Sequence, residues 1–125
     1  MPRRRVLTHS YSQPKVGSSS LVAGHVEARD MEDLKRIGDV LRAKIGSGVG
    51  VLGAVINEKV ALVCVVTDDL IQHHKVHAGT IVGRVAKLVG GGGGGRPHMA
   101  TAGGKDVDKL DDALSQVPEI INTMI

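Results

Sequence analysis

Aromatic side chains are almost absent from this sequence of 125 residues, which contains no Phe, no Trp and a single tyrosine, Tyr11. Proteins that bind single-stranded nucleic acid usually stack bases on aromatic rings, and RNA-recognition motifs use the same side chains. One tyrosine cannot form such a platform. A nucleic-acid ligand would therefore have to be held by backbone amides, cations and the close approach that glycine permits. The core must consist of Val, Leu, Ile and Ala, and the β-branched residues favour a sheet.

Cysteine and long apolar segments are also scarce. Cys64 is the only cysteine, which excludes an intrachain disulfide and fits a reducing, cytoplasmic location. The apolar runs are short and interrupted by Gly or charged residues, so we expect no membrane-spanning segment and no membrane partner. The first residues lack the apolar stretch of a secretory signal.

The charge and length of the chain give only broad limits. The net charge is +3 and the pI about 9.2, which mildly favours an anionic partner, but Arg3, Arg4 and Arg5 supply that whole excess. Residues 1–20 are polar and without periodicity, and we interpret them as a flexible tail, a linker or an appended remnant. Residues 21–125 have the size of one compact domain.

The domain begins with a predicted strand and a well-marked helix. Leu21–Glu27 has the composition of a strand, and Asp30 can then cap a helix with Asp33 in a capping-box position. Gly46 is a natural end for that helix. Its apolar stripe repeats at spacings of three and four residues, through Leu34, Ile37, Leu41 and Ile45.

The remaining pattern predicts a small α/β or α+β fold, with a small mixed sheet and flanking helices. Val49–Ile56 and Val60–Thr67 are valine-rich runs separated by three polar residues, which indicates a hairpin covered on both faces. A short helix should follow from Asp68 or Asp69, then a second over Thr80–Val89 and a last one over residues 106–125. The predicted order is β-α-β-β-α-α-loop-α.

Six consecutive glycines, Gly90–Gly95, stand between the last two helices. Glycine loses more backbone entropy on ordering than any other residue, so six of them would be a costly way to make a plain connection. A flexible linker remains the alternative. Without Cβ atoms, successive N–H groups can face phosphates, or the backbone can lie against a nucleobase or ribose. The pattern favours a ligand-contacting loop.

The glycine run and its flanks resemble the signature of the C-terminal domain of bacterial alanyl-tRNA synthetases, called the C-Ala or DHHA1 domain. The resemblance covers about residues 20–125. The segments that carry it are Val89–Gly104, with the glycines and Arg96-Pro97-His98-Met99-Ala100-Thr101-Ala102-Gly103-Gly104, then Leu34–Gly46, Val49–Val66, Lys75–Val89 and Leu110–Ile125.

The resemblance implies a DHHA1-like domain that binds alanine-specific tRNA without catalytic or metal-binding residues of its own. It implies contact with the outer corner, or elbow, of the L-shaped tRNA and a link between the aminoacylation and editing domains. The parent protein would be an alanine–tRNA ligase that uses ATP and Mg, whereas this domain needs no cofactor. The positions that match the family pattern are Gly90, Gly91, Gly93, Gly94, Gly95, Arg96, Pro97, Ala102, Gly103 and Gly104.

Two positions of the glycine segment depart from that pattern, and both stay among the expected RNA contacts. Gly92 stands where many relatives have Lys, which removes one phosphate contact. His98 stands where Asp is common, which lessens repulsion of an RNA backbone. Arg84 and Lys87 are further expected contacts one turn before the glycines, although exposed helix charges are usually only solvated.

Arg96 has two open interpretations. Its guanidinium can pair with a phosphate in a two-pronged way. Alternatively, it braces the loop against an acidic neighbour such as Asp106.

Two other functions remain open. One is a homodimerisation module, because the C-terminal segment offers an apolar face with Ile120, Ile121, Met124 and Ile125. The other is the nucleic-acid-binding domain of a DHH-family phosphoesterase, since that superfamily shares the DHHA1 domain. Such an enzyme needs a metal domain rich in Asp and His, and the chain contains no Asp-His-His triplet.

Two short motifs are interpreted as structural. His73 and His77 are four residues apart, with His74 between them, but the Glu that a zinc hydrolase needs after the first His is missing, so surface histidines are expected. Gly48–Gly53 spells G-x-G-x-x-G. It follows a helix and runs into a strand, which is the reverse of a dinucleotide-binding turn, so these glycines should ease strand packing.

Overall fold

The computed structural model describes residues 15–16 and 19–122 of the chain. A six-stranded mixed sheet is flanked by helices, which confirms the predicted fold class. The elements in chain order are β1 Lys15–Val16, β2 Ser19–His25, α1 Met31–Ile45, β3 Gly48–Ile56, β4 Lys59–Val66, α2 Asp68–His74, α3 Ala78–Lys87, β5 Gly92–Gly95, β6 Met99–Gly104, a 3-10 turn Val107–Lys109, α4 Leu110–Ser115 and α5 Val117–Asn122.

The strand order in the sheet is β1-β2-β3-β4-β6-β5. Strands β2 and β3 are parallel, and the other neighbouring pairs are antiparallel. The glycine strand β5 therefore lies at one edge, paired only with β6 in the described part of the sheet. None of the helices within the described residues has the length and apolarity to cross a bilayer.

Helix α1 begins and ends where its sequence predicts. The side chain of Asp30 accepts a hydrogen bond from the backbone N–H of Asp33, and Gly46 ends the helix at φ 73°. The carboxylate of Asp33 is buried and accepts from the N–H of Arg29, 3.0 Å away. In a capping box this carboxylate would accept from the N–H of the cap residue, Asp30. Here it accepts from the residue before the cap.

The central hairpin is tighter than predicted. Asn57 and Glu58 form a two-residue turn with φ values of 54° and 65°, and Lys59 already belongs to β4. Two consecutive positive φ values are typical of the type I′ turn that fits the twist of paired strands. Seven residues at the start of β3 and seven at the end of β4 are buried, so both faces of the hairpin are covered, as predicted.

The sheet separates two apolar clusters. One face carries α1, and its cluster includes Leu34, Leu41, Val63 and Val65. The opposite face carries α3, α4 and α5, and its cluster includes Leu62, Cys64, Ile81, Val85 and Leu114. We call these the α1 side and the α3 side of the sheet. Burial raises the pKa of the Cys64 thiol, as expected for a small core residue.

The G-x-G-x-x-G segment lies in β3, so its structural interpretation is confirmed. A Cβ atom at Gly50 would stand 2.5 Å from Cδ2 of Leu41, and one at Gly53 would stand 2.7 Å from Cδ1 of Leu110. The two glycines let helices from both sides of the sheet approach the strand.

The glycine run is a strand and not the predicted loop. Gly92–Gly95 pairs with β6 over four residues, from Gly92↔Gly103 to Gly95↔Ala100. Glycine is disfavoured in strands, so the sequence gives no signal for β5. Backbone pairing with β6 and the approach of α3 override that propensity.

Other boundaries also differ from the sequence prediction. Strand β1 and the first two residues of β2 lie inside the segment predicted as a tail, because Lys15–Val16 pairs with β2 and Ser20 pairs with Gly48. Residues 1–14 lie outside the described residues. Lys75 adopts the left-handed conformation and ends α2, so His77 precedes α3 and shares no helix with His73. The last helix is broken at Gln116 into α4 and α5.

Candidate nucleic-acid interface

The hairpin formed by β5 and β6 is anchored at its tip. The N–H of Arg96 donates to the carbonyl of Met99 across the turn, at 3.0 Å. The carbonyl of Pro97 accepts from the N–H of Ala78 at the start of α3, at 2.8 Å, and the carbonyl of His98 accepts from Val66 in β4, at 3.0 Å. The backbone of the turn is therefore held from both neighbouring elements, while the side chain of Arg96 is exposed.

Three alternate glycines of the run are required by the fold. A Cβ atom at Gly91 would lie 1.8 Å from the carbonyl oxygen of Gly103, and one at Gly93 would lie 2.5 Å from Cα of Ala102. At Gly95 the corresponding distance to Cα of Ala100 is 2.9 Å. Real Cβ atoms essentially never come so close to backbone, so these positions exclude side chains.

Helix α3 approaches the same strand through glycines of its own. A Cβ atom at Gly79 would stand 3.2 Å from the carbonyl oxygen of Gly95, and one at Gly83 would stand 3.7 Å from that of Gly93. The two helix glycines are four residues apart and so share one face of α3. Backbone thus packs against backbone on the α3 side of the hairpin, which leaves little room there for a ligand.

The two ends of the run are also structural. Gly90 has φ 73°, and a Cβ there would stand 2.6 Å from Oδ2 of Asp106. A Cβ at Gly104 would meet the carbonyl oxygen of Val89 at 2.6 Å. That carbonyl accepts hydrogen bonds from the N–H groups of Lys105 and Asp106, both at 2.9 Å, so the chain turns tightly around Val89 before α4.

The remaining glycines have no such reason to lack a side chain. A Cβ atom at Gly92 or Gly94 would meet nothing within 4 Å, and one at Gly103 would have only an ordinary contact, 3.4 Å from the carbonyl oxygen of Val60. Since Gly92 pairs with Gly103 and Gly94 with Thr101, these four residues share one face. It is the α1 side, because Thr101 pairs with Val63. We call these four residues the glycine platform.

The platform borders a groove that sequence reasoning did not predict. This groove has a volume of about 320 Å³ and lies between helix α1 and the hairpin. Its one residue from α1 is Lys35, whose side chain is 43% exposed. We call it the Lys35 groove, and its lining residues are Lys35, Gly94, Gly95, Arg96, His98, Met99, Ala100 and Thr101.

The charge of the Lys35 groove is of one sign. Its described lining includes the cations Lys35 and Arg96 and no acidic residue. Two other surface depressions carry both signs: one has Glu58, Asp106 and Asp108 beside two lysines. In the other, hydrogen bonds from Ser47 and Thr67 hold the pKa of Asp69 below its usual range, so that carboxylate is an anion at neutral pH. Of these three depressions, the Lys35 groove is the one whose described lining offers a phosphate cations without a carboxylate.

The structure gathers most of the expected RNA contacts on this hairpin, but not all on one side. Arg84 and Lys87 are exposed on α3, on the opposite side of the sheet from the Lys35 groove. The structure does not pair Arg96 with Asp106, the acidic neighbour named for its alternative role as a brace. Asp106 lies against Gly90, at the far end of β5 from Arg96, and the described residues include no ion pair between them.

The rival functions gain little support from the residues that the structure describes. Ile121 is fully buried, and Ile120 packs against the α3-side core, so the predicted apolar face is partly used within the chain. Met124 and Ile125 lie outside the described residues. Within the described residues, no group of three or more His, Cys, Asp or Glu could hold a metal ion. The side chains of His73 and His74 are not among those described.

A family model for the DHHA1 domain matches residues 18–123. The alanine–tRNA ligase of Alkaliphilus oremlandii is 50% identical over 106 residues, which are 85% of this chain and 12% of that protein. The chain thus spans about one eighth of the curated relatives it matches. It corresponds to their DHHA1 domain and not to their catalytic region.

Solved structures agree with this assignment. The C-Ala domain from Aquifex aeolicus alanyl-tRNA synthetase superposes with a TM-score of 0.75 and 32% identity, covering 86% of this chain and 95% of that one. The DHH domain of a member of the s1p family of ribosomal proteins shares the fold, with a TM-score of 0.60 and 16% identity over 95% of this chain and 29% of that one. The chain therefore belongs to the DHHA1 family, as a C-Ala domain of the alanyl-tRNA synthetase type.

Proposed function

We propose that this chain is the non-catalytic, tRNA-binding domain of an alanine–tRNA ligase and contacts the outer corner of the L-shaped tRNA through the β5–β6 hairpin. The observation that carries the proposal is the glycine platform. Gly92, Gly94 and Gly103 present backbone without side chains on an open face, and packing within the chain does not require their lack of a Cβ atom. A ligand that must approach the backbone closely would explain it.

The platform suits a folded RNA better than an unpaired strand. Peptide groups without Cβ atoms let a ribose or a base lie at van der Waals distance, roughly 3.5–4 Å, while a side chain at Gly94, within the Lys35 groove, would hold it away. The chain has no aromatic residue in the described domain on which to stack separate bases. Recognition would therefore follow the shape and the phosphates of the tRNA corner and not its base sequence.

Charged residues around the platform would supply the electrostatic part of binding. Arg96 extends from an anchored turn and can offer two parallel N–H groups to a phosphate. Arg84 and Lys87 are exposed on α3, on the opposite side of the sheet, so they would touch the RNA only where it passes around the edge strand β5. His98 stands where the family pattern has an acidic residue, and it would not repel phosphate as a carboxylate does. A contact of this size should bind weakly by itself and gain strength from the other domains of the ligase.

The whole ligase would act in the cytoplasm and use ATP and Mg for aminoacylation, outside this domain. By holding the tRNA corner, the domain would keep one tRNA bound while its acceptor end moves between the aminoacylation and editing domains. Tethering raises the effective concentration of the acceptor end at both sites without any new contact there.

Binding to alanine tRNA by fluorescence anisotropy tests this proposal. We expect the 125-residue chain to prefer the full L-shaped tRNA over an acceptor-stem minihelix, because the minihelix lacks the corner. Arg96→Ala should weaken binding about tenfold, as expected for a lost charge-assisted contact. Arg96→Lys keeps the charge but loses the two-pronged geometry, so its affinity should lie between those of the parent chain and of Arg96→Ala. Equal affinity for both RNAs, or no binding to either, would contradict the proposal.

A further inference from the structure

We infer that Lys35 of helix α1 contacts an RNA phosphate, and that the RNA backbone runs through the Lys35 groove on the α1 side of the sheet. This inference rests on the proposed tRNA-binding function and adds to it a side of the molecule and a residue outside the glycine segment. The groove joins Lys35 to Gly94 and Arg96, which are about sixty residues away in the sequence.

The placement of Lys35 follows from how α1 packs on the sheet. The helix covers Val63 and Val65 of β4, and a Cβ atom added at Gly38 of the helix would lie 3.4 Å from both of those side chains. Strand β6 comes next, where Thr101 and Met99 pair with the same two valines. Both residues are only half-buried, because α1 ends its cover there. Lys35 stands at the border between the covered sheet and the open platform.

The side chain of Lys35 is available for an anion. Its described ion pair is with Glu32, one turn earlier, at 3.7 Å. The side chain of Glu32 is 81% exposed, and such exposed pairs contribute little because water and salt screen them. A phosphate that displaced Glu32 would break only this weak ion pair, and it would be attracted by both Lys35 and Arg96.

The charge pattern favours a polyanion as the occupant of the groove. Two cations, Lys35 and Arg96, line the same groove as Gly94 and Gly95, which carry no side chain, and the described lining holds no carboxylate. The half-buried Met99 adds an apolar surface to the lining, against which a ribose can lie. An acidic peptide would share the charge, but its own side chains would need pockets that the flat platform does not offer.

The test compares Lys35→Ala and Lys35→Gln with Lys44→Ala, a matched control that removes the same charge from an exposed position on the same helix, outside the groove. Alanine tRNA is the probe, and its dissociation constant is measured by anisotropy across a salt series. Both Lys35 variants should bind about three- to tenfold more weakly. The slope of log affinity against log salt should shrink by about 1 for each, while Lys44→Ala changes affinity by less than about twofold.

Equal thermal unfolding of the three variants and the parent chain shows that the helix is intact. If Lys35→Ala binds as Lys44→Ala does while Arg96→Ala still weakens binding, the RNA lies elsewhere on the hairpin. The inference is then overturned and the proposed function survives. If the parent chain binds no tRNA, both are overturned.

Discussion

The run of six glycines contains two alternating sets of residues, and the absence of a side chain has a different structural explanation in each set. Gly91, Gly93 and Gly95 cannot carry a side chain, because its first atom would collide with the backbone of β6. Gly92 and Gly94 face open space on the other side of the same strand. The first set allows the edge strand to exist, and the second set leaves its outer face bare. The run therefore divides into glycines that packing requires and glycines that we propose for RNA contact.

The same division continues beyond the run. Gly79 and Gly83 of α3 close the α3 side of the strand, and Gly104 allows the tight turn around Val89. Gly103 belongs with the open set of Gly92 and Gly94, because a Cβ atom there would make only an ordinary van der Waals contact. Substitutions at neighbouring positions should therefore separate loss of stability from loss of RNA binding.

The largest expected effect is on stability, at Gly93. Gly93→Ala would place a methyl group 2.5 Å from Cα of Ala102, so β5 must shift away from β6 and part of the hairpin pairing is lost. We expect the free energy of unfolding to fall by roughly 2–3 kcal/mol, as in other overpacked sites. Urea unfolding followed by circular dichroism measures it.

Gly92→Ala is the matched control for Gly93→Ala, because it adds the same methyl group one residue away. It should leave the stability unchanged or raise it by up to about 1 kcal/mol, since it restricts the unfolded chain without a clash. Equal loss of stability in the two variants would break the distinction between the two sets.

The next effect is on tRNA binding, at Gly94. Gly94→Val puts a β-branched side chain on the open platform, which suits a strand but blocks close approach. We expect the affinity for alanine tRNA to fall by about tenfold, equivalent to about 1.4 kcal/mol, with unfolding unchanged. Anisotropy and urea unfolding on one sample test both halves of this prediction. Unchanged affinity would mean that the bare face does not touch the RNA.

The smallest effect is a gain, at Gly92. Gly92 is part of the glycine platform but not of the described lining of the Lys35 groove, and a side chain there has open space. Gly92→Lys therefore adds a cation at the border of the proposed contact, where it can reach a phosphate without blocking close approach at Gly94. We expect tRNA affinity to rise about two- to fivefold at low salt. The slope of log affinity against log salt should steepen by about 1, because one more counterion is released. Weaker binding of this variant than of the parent chain would show that close backbone approach matters more than charge at this position.

Local signals made much of the fold predictable. The helix α1 is set by Asp30, by the apolar stripe and by Gly46, and each acts within a few residues of its own position. The central hairpin also follows from a local pattern, two valine-rich runs separated by a short polar segment. In each case the sequence and the tertiary structure favour the same conformation.

The site was less predictable, because it depends on contacts between distant segments. Glycine has low strand propensity, so β5 forms only through its pairing with β6 and its approach to α3. No pattern near Lys35 indicates RNA, since its neighbourhood with Gly94 exists only after α1 packs on the sheet. The contrast between Gly92 and Gly93 is likewise invisible until the side of the strand that each faces is known.

An NMR titration of the ¹⁵N-labelled chain with alanine tRNA would locate the RNA on the domain, because each glycine of the run reports through its own amide. We expect the largest changes on the amides of the glycine platform, Arg96 and Lys35, with little change in α4 and α5. Changes concentrated on α4 and α5, with the amides of the platform and of Lys35 unaffected, would contradict the proposed contact.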